Sequence, residues 1–161
     1  ALQSENALLT KDYPAAISAA REALSDHPDH ARLRRLLGES FLRSAPTSGF
    51  TERDQIAAVA HLRRSVELDP GERWTRLMLA IASSSSGDLE EARRQHLEAI
   101  RLDPGAPAPR EYYAFFLETS GRTAEALQAY EVALLVPGAR FAYERFNALR
   151  EEERKRRARA P

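Results

Sequence analysis

Small and apolar residues recur along this chain at the spacing expected of amphipathic helices. An early stretch places them on one helical face, at Ala16, Ile17, Ala20, Ala23 and Leu24. No stretch shows the alternation of apolar and polar residues that marks a half-buried strand. The pattern therefore predicts an all-α chain, with a helical fraction far above that of an average globular protein.

Turn and capping residues divide this pattern into separate helices. Asp12 and Asp88 can cap the helices that follow them, and Gly87 and Gly121 suit the left-handed residue that often ends a helix. Prolines close several segments, because the residue before a proline is pushed out of the α region. The predicted helices run over about 15–26, 31–43, 72–86, 89–102, 108–120, 123–136 and 141–159, and a further helix begins at about Arg53.

The helices repeat in pairs with a period of 34 residues. Val66-Glu67-Leu68-Asp69-Pro70 returns as Ile100-Arg101-Leu102-Asp103-Pro104, and Ala58, Ala92 and Ala126 fall in step. A fixed period of this length indicates stacked copies of one supersecondary unit, none of which can bury its apolar face alone. We predict one solenoid over residues 1–161, with units at about 1–28, 29–70, 71–104 and 105–138. A capping helix at about 139–160 would cover the last pair through Ala142, Phe146 and Leu149.

The second unit is eight residues longer than the units that follow it. The additional stretch, 44–50, is rich in turn residues and falls between two helices, so we predict that it forms a loop. Thr51-Glu52-Arg53-Asp54 follows this stretch and has the form of a capping box, with Asp54 in the place of Glu or Gln.

With its period and paired helices, the chain resembles the tetratricopeptide repeat family. The family places a Leu-Gly pair in the first helix of each unit, two Ala residues seven apart in the second helix, and a closing Pro. The matching residues are Leu37-Gly38, Phe41, Ala58, Ser65 and Pro70, then Leu79-Ala80, Gly87, Ala92, Ala99 and Pro104, then Tyr113-Ala114, Leu117, Gly121, Ala126 and Ala133. The resemblance implies a right-handed superhelical solenoid of antiparallel helix pairs. It implies no catalytic activity.

The resemblance also implies that the first helices line a concave groove, which usually binds a peptide or a helix. The residues that would line it are Arg32, Arg35, Glu39, Trp74, Met78, Ile81, Tyr112, Phe115 and Thr119. Aromatic, Met and Arg side chains are enriched at binding hot spots. The alternative is that Trp74 and Met78 pack against neighbouring helices as core residues.

Composition excludes several other function classes. Acidic and basic residues balance at 24 each, so no net field gathers nucleic acid or an anionic membrane. The absence of Cys excludes thiol catalysis and thiolate metal sites. No apolar run is long enough for a membrane span, and no secretion signal opens the chain.

The residue types needed for catalysis or for a metal site are present but scattered. His27, His30, His61 and His96 are dispersed, and His27 and His30 flank a proline turn without a carboxylate partner. No Ser/His/Asp order, phosphate-binding loop or metal-binding helix motif occurs. We therefore predict no enzyme activity, no metal and no cofactor.

The first functional hypothesis is a non-catalytic scaffold that binds a peptide or helical segment of a protein partner. The second is the recognition domain or subunit of a larger bacterial enzyme, or of a secretion, envelope or cofactor-assembly machine. The Arg-rich, Lys-poor composition favours a bacterial origin. The compartment stays open: the cytoplasm is favoured, with the periplasm as the alternative if a signal was removed. Self-association through the ends of the solenoid is a third hypothesis.

Overall fold

The computed structural model of this protein describes residues 2–44 and 51–159. Over these ranges the chain forms α-helices joined by short turns, with no strand. The helices are α1 (Leu2–Leu9), α2 (Tyr13–Asp26), α3 (Ala31–Ser44), α4 (Glu52–Leu68), α5 (Arg73–Ser85), α6 (Leu89–Leu102), α7 (Pro107–Thr119), α8 (Thr123–Leu134) and α9 (Arg140–Arg159). The predicted all-α fold is confirmed. Apart from Ser44, which ends α3, the predicted loop at 44–50 lies outside the described residues. No helix within the described ranges is long and apolar enough to cross a membrane.

The helix ends follow the capping chemistry that the sequence predicts. Asp12 accepts a hydrogen bond from the Ala15 amide at 3.1 Å, and Asp88 accepts one from the Glu91 amide at 3.1 Å. Thr51 and Asp54 form both bonds of a capping box at the start of α4. Gly87 has a φ of 84°, a left-handed conformation that glycine adopts without a Cβ clash.

The chain divides into two compact units, Ala1–Gln95 and His96–Pro161, with the boundary inside α6. In the first unit, helices adjacent in sequence pack together from α1 to α5. In the second unit, α7 packs on α8, and α8 packs on α9. That all 161 residues form one continuous solenoid stays a prediction.

In the first unit, α3 and α4 approach each other closely at Gly38. A Cβ atom on Gly38 would lie 2.6 Å from Leu62 Cγ and 3.1 Å from the Ala58 carbonyl oxygen. Ala58 and Leu62 are fully buried there. Ser65, at another small-residue position of α4, donates its hydroxyl to the Ala31 carbonyl at 2.8 Å. The periodic small residues are therefore contact points at which two helices meet.

In the second unit, polar contacts as well as apolar packing fasten α9 to the helix pair before it. The Tyr130 hydroxyl donates to Glu118 at 2.6 Å, and Arg145 of α9 donates to the same carboxylate. Glu111 of α7 accepts a hydrogen bond from the Ala142 amide at 2.9 Å, in the first turn of α9. Ala142 and Leu149 are buried, as expected of a capping helix.

An arginine recurs four residues before the small residue of α3, α5 and α7, at Arg34, Arg76 and Arg110. Arg34 Nε donates to the Pro28 carbonyl at 2.9 Å, and Arg76 Nε donates to the Pro70 carbonyl at 2.9 Å. Each of these two arginines thus links its helix by a hydrogen bond to the proline turn that ends the preceding repeat.

Arg34 and Arg76 each reach a second partner on the following helix, whereas Arg110, within the described ranges, does not. Arg34 Nη1 lies 3.3 Å from His61 Nδ1, and Arg76 Nη1 donates to Gln95 Oε1 at 2.9 Å. The position of α8 that corresponds to His61 and Gln95 is Ala129, which has no acceptor in its side chain. Arg110 Nη1 is buried and has no hydrogen-bond partner among the described residues.

We expect Ala129→Gln to stabilise the protein, because the new amide oxygen would give Arg110 Nη1 the partner that Arg76 has in Gln95. A hydrogen bond to a charged group contributes about 1.5–3 kcal/mol, and ordering the Gln side chain offsets part of it, so the net gain should be about 1 kcal/mol. Urea unfolding measures this gain. Ala129→Met is the matched control, with similar length and no oxygen; equal stability of the Gln and Met variants would contradict the prediction.

Candidate functional site

Trp74 is the centre of the candidate site in the first unit. It lies in the first turn of α5, where Glu72 caps the helix by accepting hydrogen bonds from the amides of Trp74 at 3.0 Å and Thr75 at 2.6 Å. One part of the indole packs on the core cluster that contains Leu62 and Leu77, and the ring is only partly buried. The cap therefore places a large ring at the edge of the core.

Two concavities meet at this ring. They have volumes of about 300 and 340 Å³ and share Arg32, Arg35 and Trp74. The smaller one extends toward α1, and its further lining residues are Glu5, Leu8, Leu9, Leu36 and Glu39. The larger one extends along the start of α5, and its further lining residues are Ala31, Ser65, Asp69, Glu72 and Thr75. We call these two concavities together the Trp74 surface.

The charges of the Trp74 surface are already paired. Glu39 is only 3% exposed and accepts hydrogen bonds from Arg35 at 2.8 Å and Arg43 at 2.9 Å. Arg32 pairs with Glu5 of α1. The side chain of Arg32 is 60% exposed, whereas that of Arg35 is 19% exposed. Asp69 and Glu72 also line the surface, so its acidic residues outnumber Arg32 and Arg35 and it carries no positive excess.

Two other residues predicted to line the groove contribute to the core. Met78 is 6% exposed and belongs to the same buried cluster as Leu62, Leu77 and Leu79. Ile81 is partly buried and packs against that cluster. Met78 therefore packs in the core, as the alternative interpretation of the sequence has it, and we do not include it in the Trp74 surface.

The remaining predicted residues lie on α7 in the second unit. Tyr112 and Phe115 are each 37% exposed. Phe115 contacts Phe141 of α9 edge to face, with 5.6 Å between ring centroids. Thr119 is exposed, and its hydroxyl donates to the Phe115 carbonyl at 3.0 Å. We call Tyr112, Phe115 and Phe141 the aromatic surface of the second unit.

Sequence reasoning missed several residues of these surfaces, and three of them are large apolar residues. Leu8 and Leu9 line the Trp74 surface from α1, and Phe141 joins the aromatic surface from the start of α9. Leu8 and Leu9 lie at the end of α1, which is the shortened first helix of the first repeat, and Phe141 lies at the start of α9, which is outside the repeats. The repeat pattern describes these two helices least well. Leu9 is 80% exposed, and a large apolar residue at a helix end is the signal that could have indicated it.

His96 takes part in aromatic packing. It is 1% exposed, with its ring centroid 5.2 Å from that of Phe116 and 6.0 Å from that of Tyr113. Burial lowers the pKa of His96 to about 4. Within the described ranges, no group of His, Asp and Glu residues is arranged to hold a metal ion.

The family comparison matches most of the chain. The tetratricopeptide repeat model matches residues 10–73 and 77–144. Among curated proteins, the chain is similar to the BBSome complex member BBS4 of Mus musculus, with 30% identity over 121 residues. The match covers 75% of this chain and 22% of BBS4, so the chain spans about a fifth of that relative's length.

Solved structures show the same fold at low sequence identity. TTC0263, a thermophilic TPR protein of Thermus thermophilus, aligns with a TM-score of 0.78 at 18% identity, covering 91% of this chain and 77% of its own. YrrB, described as a TPR protein with an unusual peptide-binding site, aligns with a TM-score of 0.74 at 19% identity, covering 88% and 69%. MamA of Desulfovibrio magneticus RS-1 aligns with a TM-score of 0.73 at 16% identity, covering 85% and 73%.

We expect His96 to make the protein less stable in acid. Because the folded-state pKa of about 4 lies below the ordinary value of 6.5, its stabilisation is complete above pH 6.5 and is lost as the pH falls toward 4. The loss amounts to about 3 kcal/mol at 1.36 kcal/mol per pKa unit.

The measurement is urea unfolding between pH 7 and pH 4.5, compared between wild type and His96→Phe. Burial and the charges of Arg34 and Arg21 also lower the pKa of His61, but that contribution is common to both proteins. The Phe variant should therefore lose less stability on acidification. Parallel curves for the two proteins would contradict the prediction.

Proposed function

Because this chain belongs to the tetratricopeptide repeat family, whose members are generally interaction scaffolds, we propose that it is a non-catalytic scaffold that binds a segment of a partner protein. The segment is a peptide or a helix, and its main contact is the Trp74 surface. The observation that carries the proposal is the meeting of two concavities at one partly buried Trp. Large, rigid rings of this kind provide contact area at low entropic cost.

An apolar side chain of the partner is the natural occupant of the smaller concavity. Leu8, Leu9 and Leu36 line it beside Trp74, and Leu9 is 80% exposed in the absence of a partner. Leu36 is already buried, so a partner would remove apolar area of Leu8, Leu9 and Trp74 from water, at about 25 cal/mol per Å². This gain is the principal source of affinity in the proposal.

The arginines at the Trp74 surface have a secondary role. Arg32 and Arg35 already pair with Glu5 and Glu39, so a carboxylate of the partner would compete with groups in place. Arg32 is the more exposed of the two, and an exposed charge changes the association rate and the salt dependence more than the affinity. We therefore propose that they orient the segment and that Trp74 anchors it.

We propose the aromatic surface of the second unit as an additional contact. Tyr112 and Phe115 expose more than a third of their surface, and the edge-to-face contact with Phe141 restrains the Phe115 ring. A ring that is fixed before binding loses little conformational freedom when a partner covers it. Thr119 lies one turn further along the same helix face.

The alternative function is that of a recognition domain or subunit within a larger bacterial machine. It is favoured by the match to BBS4, a protein described as a complex member, of which this chain covers 22%. Both proposals assign the same chemistry to the Trp74 surface.

The experiment is affinity capture with the wild-type protein and with Trp74→Ala/Tyr112→Ala, followed by mass spectrometry. The captured partner is then titrated into single variants. Trp74→Ala should weaken binding by at least about 2 kcal/mol, the threshold for a hot spot. Arg32→Ala should mainly slow association and reduce its salt dependence.

Leu97→Ala is the matched control, because Leu97 is an apolar residue on α6 that is 43% exposed and lines neither surface. It should bind like the wild type. A folded Trp74→Ala protein with unchanged affinity would exclude the Trp74 surface as the binding site.

A further inference from the structure

A third surface, outside the Trp74 surface and the aromatic surface, lies between α8 and the second half of α9. Two concavities of about 730 and 520 Å³ run along it and share Leu127, Glu153 and Arg157. One continues to Asn147 and Arg150, and the other continues to Arg122 and Arg156. We call this continuous depression the α8–α9 cleft.

The cleft exists because only the first half of α9 is packed. Ala142 and Leu149 are the buried residues of α9, and none of the described residues after Leu149 is buried. At 20 residues, α9 is also longer than α5 and α7, which have 13 residues each. Its second half therefore extends beside α8 as a solvated wall.

Five arginines and three glutamates line the cleft, and the glutamates neutralise only three of the arginines. Arg122 pairs with Glu125 at 2.6 Å, Arg154 pairs with Glu151 at 3.0 Å, and Arg157 pairs with Glu153 at 3.1 Å. The side chains of Arg150 and Arg156 form no ion pair or hydrogen bond with any residue in the described ranges. The cleft therefore contains two cations without counterions, although the whole chain has no net charge.

We propose that the α8–α9 cleft binds an acidic segment of a partner protein through Arg150 and Arg156. Six residues separate these arginines, which corresponds to a rise of about 9 Å along the helix. Carboxylates three residues apart in a polyproline II segment lie about 9 Å apart on the same side. Along the helix axis, the spacing of the two arginines thus corresponds to that of acidic residues at every third position of an extended chain.

The lining favours a protein segment over a nucleic acid. Duplex DNA carries one negative charge per about 1.7 Å, and Glu125, Glu151 and Glu153 would repel so dense a row of phosphates. Widely spaced carboxylates can meet the two uncompensated arginines without approaching these glutamates. The start of α8 adds to the positive potential, because Arg122 stands where α6 has its capping residue Asp88 and provides no side-chain acceptor.

The test uses a fluorescein-labelled proline-serine peptide with aspartate at every third position, measured by anisotropy at low ionic strength. The probe should bind the wild-type protein, and the same peptide with asparagine in place of aspartate should not. Arg150→Gln/Arg156→Gln should weaken binding at least about tenfold. Arg53→Gln/Arg63→Gln, which removes the same charge from exposed positions of α4, should bind within about twofold of the wild type.

Three results would overturn the proposal: no binding of the aspartate peptide, equal binding by the Arg150→Gln/Arg156→Gln protein, or equal loss in the α4 control. Labelled single-stranded DNA is run in parallel. Tighter binding of DNA than of the peptide, lost in the same double variant, would assign the cleft to nucleic acid instead. Trp74→Ala should leave peptide binding unchanged, so this proposal and the proposed function can fail separately.

Discussion

The close approach of paired helices is the constraint on which the other features of this protein depend. At Gly38 the backbone of α3 comes so near to α4 that a single added carbon would overlap Leu62. Ala58, Ala92 and Ala126 are fully buried at the corresponding places of α4, α6 and α8. Because a larger residue at such a place would force the helices apart, small side chains fix the position of each helix. Trp74, Tyr112 and Phe115 belong to the first helices of such pairs.

Most of the fold could be predicted from the sequence, because small residues, caps and closing prolines are local signals. The predicted limits of α6 agree with the observed Leu89–Leu102, and the capping box at Thr51 forms as expected. The site was less predictable. Trp74 and Met78 lie one turn apart on α5, yet Met78 is buried and Trp74 is only partly buried. The burial of each side chain depends on contacts with residues far away in sequence, which a local pattern does not indicate. The cap that Glu111 provides for α9 spans 31 residues, and no local pattern indicates it.

The two compact units differ in how completely the arginines at their surfaces are paired with carboxylates. Around Trp74 the arginines are restrained by Glu5 and the buried Glu39, and the recognition feature that we propose there is the apolar ring. In the α8–α9 cleft the carboxylates are too few to pair every arginine, and the recognition feature that we propose there is the uncompensated charge. An apolar anchor is insensitive to salt, whereas a charged cleft is screened within about 10 Å at moderate ionic strength. One chain can thus present two surfaces that respond differently to the same solution.

The attachment of α9 at one end determines how this helix opens. Glu111, Glu118 and the burial of Ala142 and Leu149 all act on residues 140–149. Amide protons in this half are released to solvent only when α9 leaves α7 and α8, which is an opening of the whole unit. Amides near Arg159 become accessible to solvent when a single exposed turn of the helix unwinds. Their exchange with solvent deuterium is therefore faster. A single continuous helix therefore contains a slowly exchanging half and a rapidly exchanging half.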